Sequence, residues 1–132
     1  MPARILVVDD NPTNLKLACS VLEMEGYEIE RAEDSEKALD IVGQKPLDLI
    51  LMDIELPGMD GLTLTRLLKL DEKTKHIPII ALTAFAMIGD DQKALEAGCA
   101  GYISKPIDTR KFSKQVEEFL QADRKRKGQQ TS

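Results

Sequence analysis

Five short apolar runs, each followed by a stretch of helical period, limit what this chain can fold into. They are Ile5–Val8, Ile29–Ala32, Leu49–Met52, Ile79–Leu82 and Tyr102–Ile103. The third and fourth are continuous rather than alternating, the pattern of strands covered on both faces. Helix punctuation stands between the runs. Gly26 and Gly98 sit where a left-handed cap would end a helix, and Asp34 and Asp108 precede helical stretches as N-caps. Pro57-Gly58 fits a type II turn. Strand–helix alternation five times over predicts a parallel sheet with right-handed crossovers. For a (βα)5 chain of this length the favoured α/β arrangement is a doubly wound five-stranded sheet with order 2-1-3-4-5.

A length of 132 residues allows one core and one domain. We expect that domain over 1–122, followed by a polar, basic, partly disordered tail over 123–132. The net charge of −5 is uneven: Asp123 and the four bases Arg124–Lys127 put +3 on the last ten residues, leaving −8 on the rest. So acidic a body argues against nucleic acid as a partner, because that affinity rests on neutralising phosphates. It suits a cation or a basic protein surface. No apolar run approaches the roughly 18–20 residues of a membrane span, and the N-terminus lacks a signal-peptide layout. Cys19 and Cys99 are too few for a disulfide scaffold and lack metal spacing, so they read as small buried apolar residues. A reduced, cytoplasmic protein is expected.

In open α/β sheets, ligands bind beyond the carboxyl ends of the strands where the winding reverses, here between strands 1 and 3. The residues just after the runs are Asp9 and Asp10, then Asp53, then Thr83 and Ala84, then Ser104 and Lys105. Strand ends are often polar because loops are wet, but three carboxylates, a hydroxyl and an ammonium converging on the rim chosen by the fold are a constellation. Crowded carboxylates repel, and a hard divalent ion relieves them. Mg²⁺ favours one or two carboxylates with water and phosphate, and Mn²⁺ is an alternative. Neither a Walker A motif nor a G-x-G-x-x-G cradle is present. A carboxylate able to form an aspartyl phosphate is then the nucleophile, with Lys105 and the metal clamping phosphoryl oxygens.

Four fragments, Val7-Val8-Asp9-Asp10-Asn11, Leu51–Gly61, Ala81-Leu82-Thr83-Ala84 and Tyr102-Ile103-Ser104-Lys105-Pro106, resemble the response-regulator receiver domains of two-component signalling. The resemblance covers about residues 3–122 and implies a flavodoxin-like receiver fold. It implies Asp53 as phosphoacceptor. Asp10 and Asp53 would ligate Mg²⁺ directly, Asp9 largely through water, and the Glu55 backbone carbonyl would complete the site. Thr83, Ala84 and Lys105 would contact the phosphoryl group, and the Lys105–Pro106 bond would be cis. Thr83 and Tyr102 resemble the family's switch pair, which would reshape the face made by helix 4, strand 5 and helix 5.

The apolar connection Phe85-Ala86-Met87-Ile88 suits partner docking through Phe85, Met87 and Ile88, against the plainer reading of packing onto strand ends. Helix 1, read over Thr13–Glu25, is apolar around an arc of roughly 220°, wider than a core-facing stripe requires. One edge, Leu15 with Cys19 or Leu17 with Met24, should therefore be exposed and available to a phosphodonor protein. The lone His76 lies in a loop, so a phosphoryl group must come from a separate histidine kinase or histidine phosphotransfer protein.

The function expected is that of a stand-alone, single-domain response regulator. It would act on a downstream protein target, as a monomer or a phosphorylation-dependent dimer, and would catalyse nothing beyond its own phosphorylation and dephosphorylation. A phosphorelay shuttle and a receiver cut from a hybrid histidine kinase are the alternatives. A Mg²⁺-dependent phosphatase of the haloacid dehalogenase type is disfavoured, because its D-x-D motif follows the first strand.

Overall fold

The computed structural model describes residues 2–56, 59–83, 90–105 and 107–130. In chain order the elements are β1 (Arg4–Val8), α1 (Pro12–Met24), β2 (Glu28–Ala32), α2 (Ser35–Gln44), β3 (Leu49–Asp53), α3 (Gly61–Leu70), β4 (Ile79–Thr83), α4 (Asp90–Ala97), β5 (Gly101–Ser104) and α5 (Phe112–Gln130). The strands form one sheet in the order β2-β1-β3-β4-β5, every neighbouring pair parallel. Fold class and strand order agree with the sequence reading, and each expected strand lies within one residue of its observed ends.

Side chains alternate across the sheet with a period of two, so the interior is two clusters, one on each face of the single sheet, rather than the one core expected from the length. Ile5 and Val7 of β1 pack with Leu15, Ala18, Cys19 and Leu22 of α1 and Phe112, Val116 and Leu120 of α5. Leu6 and Val8 face the other way, toward Ala38 of α2, Leu64 and Leu68 of α3 and Ala94 of α4. β3 and β4 are buried along their whole length, as their unbroken apolar runs require.

β2 is an edge strand of mixed character. Its outer positions are tied down by ion pairs: Arg4 to Glu28 at 2.9 Å, Arg31 to Glu23 at 2.7 Å and Lys45 to Glu30 at 2.6 Å. All are solvent-washed and worth at most about 1 kcal/mol each.

Helix ends follow side-chain chemistry. Asn11 caps α1, accepting from the Thr13 and Asn14 amides. Asp34 caps α2 through the Lys37 amide, as expected, and Asp60 caps α3 through the Thr63 amide. Gly26 and Gly98 adopt φ of +93° and +113°, the left-handed conformation expected after α1 and α4. Asp108 departs from expectation. Its carboxylate accepts from the Arg110 amide and its carbonyl from the Lys111 and Phe112 amides, forming a turn that delays α5 to Phe112. Pro57-Gly58 falls outside the described residues.

Two further expectations are revised. α5 runs through to Gln130 with no break at 122, so residues 123–130 continue the helix rather than forming a separate tail. Ala122, Arg124 and Lys125 are good helix formers, and no proline interrupts them. On α1, the edge with Leu15 and Cys19 is buried, at 5% and 0% exposure. Leu15 therefore belongs to the core and offers no docking surface. The opposite edge carries the excess apolar surface: Leu17 is 38% and Met24 87% exposed.

Candidate functional site

All five strands run the same way, so their carboxyl ends share one rim. The β1–β3 register pairs Val8 with Met52, and one step further along stand Asp9 and Asp53. Thr83 closes β4 opposite Ser104, and the Lys105 amide then donates to the Thr83 carbonyl at 2.7 Å. This last bond turns the chain so that the Lys105 side chain reaches back across the strand ends.

Lys105 Nζ lies 3.0 Å from Asp9 Oδ2 and 3.1 Å from Asp53 Oδ2. Both carboxylates are almost fully buried, Asp9 at 1% and Asp53 at 2% exposure. Their second oxygens take backbone amides two residues on. Asp9 Oδ1 accepts from Asn11 and Asp53 Oδ1 from Glu55, both at 2.9 Å. Asp10 is exposed, yet its carboxylate contributes to a group in which oxygens of Asp9, Asp10 and Asp53 lie within 4.8 Å of one another.

The electrostatics follow from burial. Removal from water pushes the Asp9 carboxyl up, helped by the charge of Asp53 and opposed by the Asn11 amide and Lys105. Burial alone would drive Lys105 down, but its bonds to Asp9 and Asp53 reverse this and hold the ammonium firmly protonated. One ammonium is thus paired with two buried carboxylates, and the exposed Asp10 stands beside them. Hard oxygen donors without thiolate or imidazole are the chemistry that Mg²⁺ or Mn²⁺ takes.

Thr83 is 3% and Tyr102 43% exposed, so the two members of the expected switch pair occupy the end of β4 and the open surface of β5. Glu55 is exposed just beyond Asp53. Ala84, Phe85, Met87, Ile88 and Pro106 lie outside the described residues, and so does the bond between Lys105 and Pro106.

The sequence reading includes Gly61 in the Leu51–Gly61 fragment but gives it no role. A Cβ at this position would sit 2.1 Å from the Asp53 carbonyl oxygen and 2.7 Å from Ile54 Cα. Only glycine lets the start of α3 press against the backbone that carries Asp53, and the Gly61 amide donates to the Ile54 carbonyl at 3.3 Å. Its signal was its place directly after the α3 cap, Asp60.

The response regulator receiver domain model matches residues 5–117. The chain belongs to that family. It is 44% identical over 120 residues to the polar-differentiation response regulator DivK of Brucella anthropi, covering 91% of this chain and 98% of that one. Among solved structures, a CheY-like response regulator receiver domain protein from Methanospirillum hungatei JF-1 superposes with a TM-score of 0.85. It is 32% identical, covering 96% of this chain and 99% of its own. The signal receiver domain of a signal transduction histidine kinase from Syntrophus aciditrophicus gives 0.82 at 32% identity, with 91% of each chain covered. The chain is thus a receiver domain of the two-component type, similar to DivK. No described helix is long and apolar enough to cross a membrane.

Proposed function

We propose that Asp53 accepts a phosphoryl group from a phosphohistidine of a histidine kinase or histidine phosphotransfer protein. The observation that carries this is the Lys105 ammonium bridging two buried carboxylates at a strand-end rim, one of them Asp53. A carboxylate oxygen of Asp53 attacks phosphorus, an O–P bond forms, and the donor's N–P bond breaks with its electron pair returning to the imidazole. The Glu55 amide on Asp53 Oδ1 fixes the carboxylate plane. Lys105 then turns from Asp53 to the phosphoryl oxygens while Asp9 keeps it in place.

Asp9, Asp10, Asp53 and the Glu55 carbonyl would hold Mg²⁺, or Mn²⁺ in its stead. When bound, the ion supplies positive charge against the phosphoryl oxygens. Phosphorylation adds roughly −1.5 to −2 charges and biases the domain only through contacts that differ between states. The Thr83 hydroxyl supplies such a contact, and Tyr102, with its ring in the open, is the group that moves in response. Output passes through the face of α4, β5 and α5 to a protein target, and the exposed Leu17 and Met24 of α1 are offered to the phosphodonor. The setting is a reduced cytoplasm, which suits two buried free thiols.

A second reading is passage of the phosphoryl group to another histidine protein, as in a relay or a hybrid kinase. The likeness to a histidine kinase's receiver favours it.

The test is intact mass after incubation with a small-molecule phosphodonor and Mg²⁺. One added phosphate is expected, prevented by EDTA and abolished by Asp53→Asn. Unmodified wild-type protein under these conditions rejects the proposal. Transfer from the phosphorylated protein to a histidine phosphotransfer domain selects the second reading.

A further inference from the structure

The chain that leaves Asp53 must return to α3 within a few residues, and both ends of this loop are fixed by its own backbone. At the start, the Glu55 amide bonds Asp53 Oδ1 at 2.9 Å. At the end, Asp60 caps α3 and Gly61 seats against the Asp53 carbonyl. Met59 is secured differently. Its carbonyl accepts a 2.7 Å hydrogen bond from the hydroxyl of Ser35, 24 residues earlier.

Ser35 is the first residue of α2, and it is 6% exposed. Most serines at a helix start serve the helix itself, but here Asp34 already caps α2 by taking the Lys37 amide. The Ser35 hydroxyl is therefore spent on another element. α2 follows β2, whose carboxyl end lies on the same rim as Asp9 and Asp53, so the bond runs along the rim from its flank into the loop beyond Asp53.

We propose that Ser35 is a positioning residue for the metal-binding loop. By holding the Met59 carbonyl it fixes the approach to α3 before any ion arrives, and Gly61, bonded to the Ile54 carbonyl, passes that restraint to the backbone next to Glu55, so that the Glu55 carbonyl meets the metal without first losing conformational freedom. This inference rests on the functional reading above. It adds that part of the metal affinity originates in α2, an element with no ligand of its own.

The physical scale follows from a single buried hydrogen bond, whose loss changes a coupled equilibrium by about two- to tenfold. Ser35→Ala removes the donor, and Ser35→Thr restores it. In metal-free protein, Ser35→Ala should accelerate amide exchange at Glu55, Leu56, Asp60 and Gly61 while leaving β1 and β4 amides unchanged. Calorimetric titration with MgCl₂ should show weaker binding by about two- to tenfold. The phosphorylation rate at saturating Mg²⁺ should stay within twofold of wild type, with the Mg²⁺ concentration for half-maximal rate shifted as the affinity is. Ser35→Thr should recover exchange, affinity and the shifted midpoint.

Unchanged loop exchange in Ser35→Ala overturns the proposal. So does acceleration spread evenly over the sheet, which would make Ser35 a general stability contact. A loosened loop with undiminished Mg²⁺ affinity overturns it as well. If wild-type protein bound no Mg²⁺ and took no phosphate, the functional reading would fall. The exchange comparison, made without metal, would still judge the tether by itself.

Discussion

Gly61→Ala tests the geometry around Asp53 most directly. The added Cβ would stand 2.1 Å from the Asp53 carbonyl oxygen, 2.7 Å from Ile54 Cα and 2.9 Å from the Asp53 carbonyl carbon. Real Cβ atoms essentially never approach closer than 3.0 Å, so the start of α3 and the end of β3 must part by about 1 Å. All three clashing atoms are backbone, and no flexible side chain can yield. β3 is paired on both sides and buried throughout, so the displacement falls on the loop or on the Asp53 carboxylate. Overpacking of this kind costs about 1–3 kcal/mol, and a misplacement of about 1 Å at a reacting group can cost on the order of 10²-fold in rate. Urea unfolding should show the first, and the initial rate of phosphate incorporation at saturating Mg²⁺ the second. Gly43→Ala is the matched control. No atom lies within 4 Å of its Cβ, it sits inside α2, and the exchange should stabilise by roughly 0.5–1 kcal/mol. A Gly61→Ala protein with wild-type stability, phosphorylated within threefold of the wild-type rate, would refute the reasoning.

Three other outcomes are expected. Lys105→Ala leaves Asp9 and Asp53 buried without the ammonium and should destabilise the protein by about 3 kcal/mol in EDTA. Mg²⁺ should narrow that gap, and identical urea midpoints for variant and wild type in EDTA would contradict the pairing. Burial pushes the Cys19 thiol from 9.0 up to about 11, so the unfolded chain holds fewer protons than the fold between those values. The margin of wild type over Cys19→Ala should therefore be full below pH 9 and shrink as pH rises toward about 11; parallel stability curves across that range would count against it. Leu17→Ala and Met24→Ala should each change stability by less than about 0.5 kcal/mol, whereas Leu22→Ala should cost about 2–5 kcal/mol. The first two should slow phosphotransfer from a donor protein but not from a small-molecule donor, and equal slowing of both would remove α1 from the docking surface.

The fold was legible because its strands are buried on both faces. Leu49–Met52 and Ile79–Leu82 have no room for a polar residue, and an unbroken apolar run shows it. β2 was legible with less, since Ile29 and Ala32 are the apolar members of Glu28–Ala32 and the rest are charged. The rim carboxylates could be found because residue type and strand end coincide. How they are held could not. That Lys105 would bridge Asp9 and Asp53 depends on the turn made by its amide onto Thr83. Ser35 and Met59 share no pattern, because a side chain meeting a carbonyl 24 residues away leaves no periodic trace. Asp108 was misread because an Asx turn and an N-cap draw on the same carboxylate–amide bond. On α1, the apolar count showed that an edge must be exposed, but choosing between its two edges required the direction in which the helix faces the sheet. The basic cluster Arg124–Lys127 suits the C-terminal end of a helix, but where that helix stops is not legible, because arginine and lysine are compatible both with helix and with a polar tail.

The ion pairs along β2 have a consequence for how copies of the protein meet. An edge strand invites a second strand to add to it, and the partner would have to lie beside a strand carrying Glu28, Glu30 and Arg31. Each of these charges is already matched within its own fold. An incoming strand would strip water from satisfied pairs while gaining no counter-charge. These pairs therefore make strand addition at the β2 edge less favourable than their own modest energy suggests.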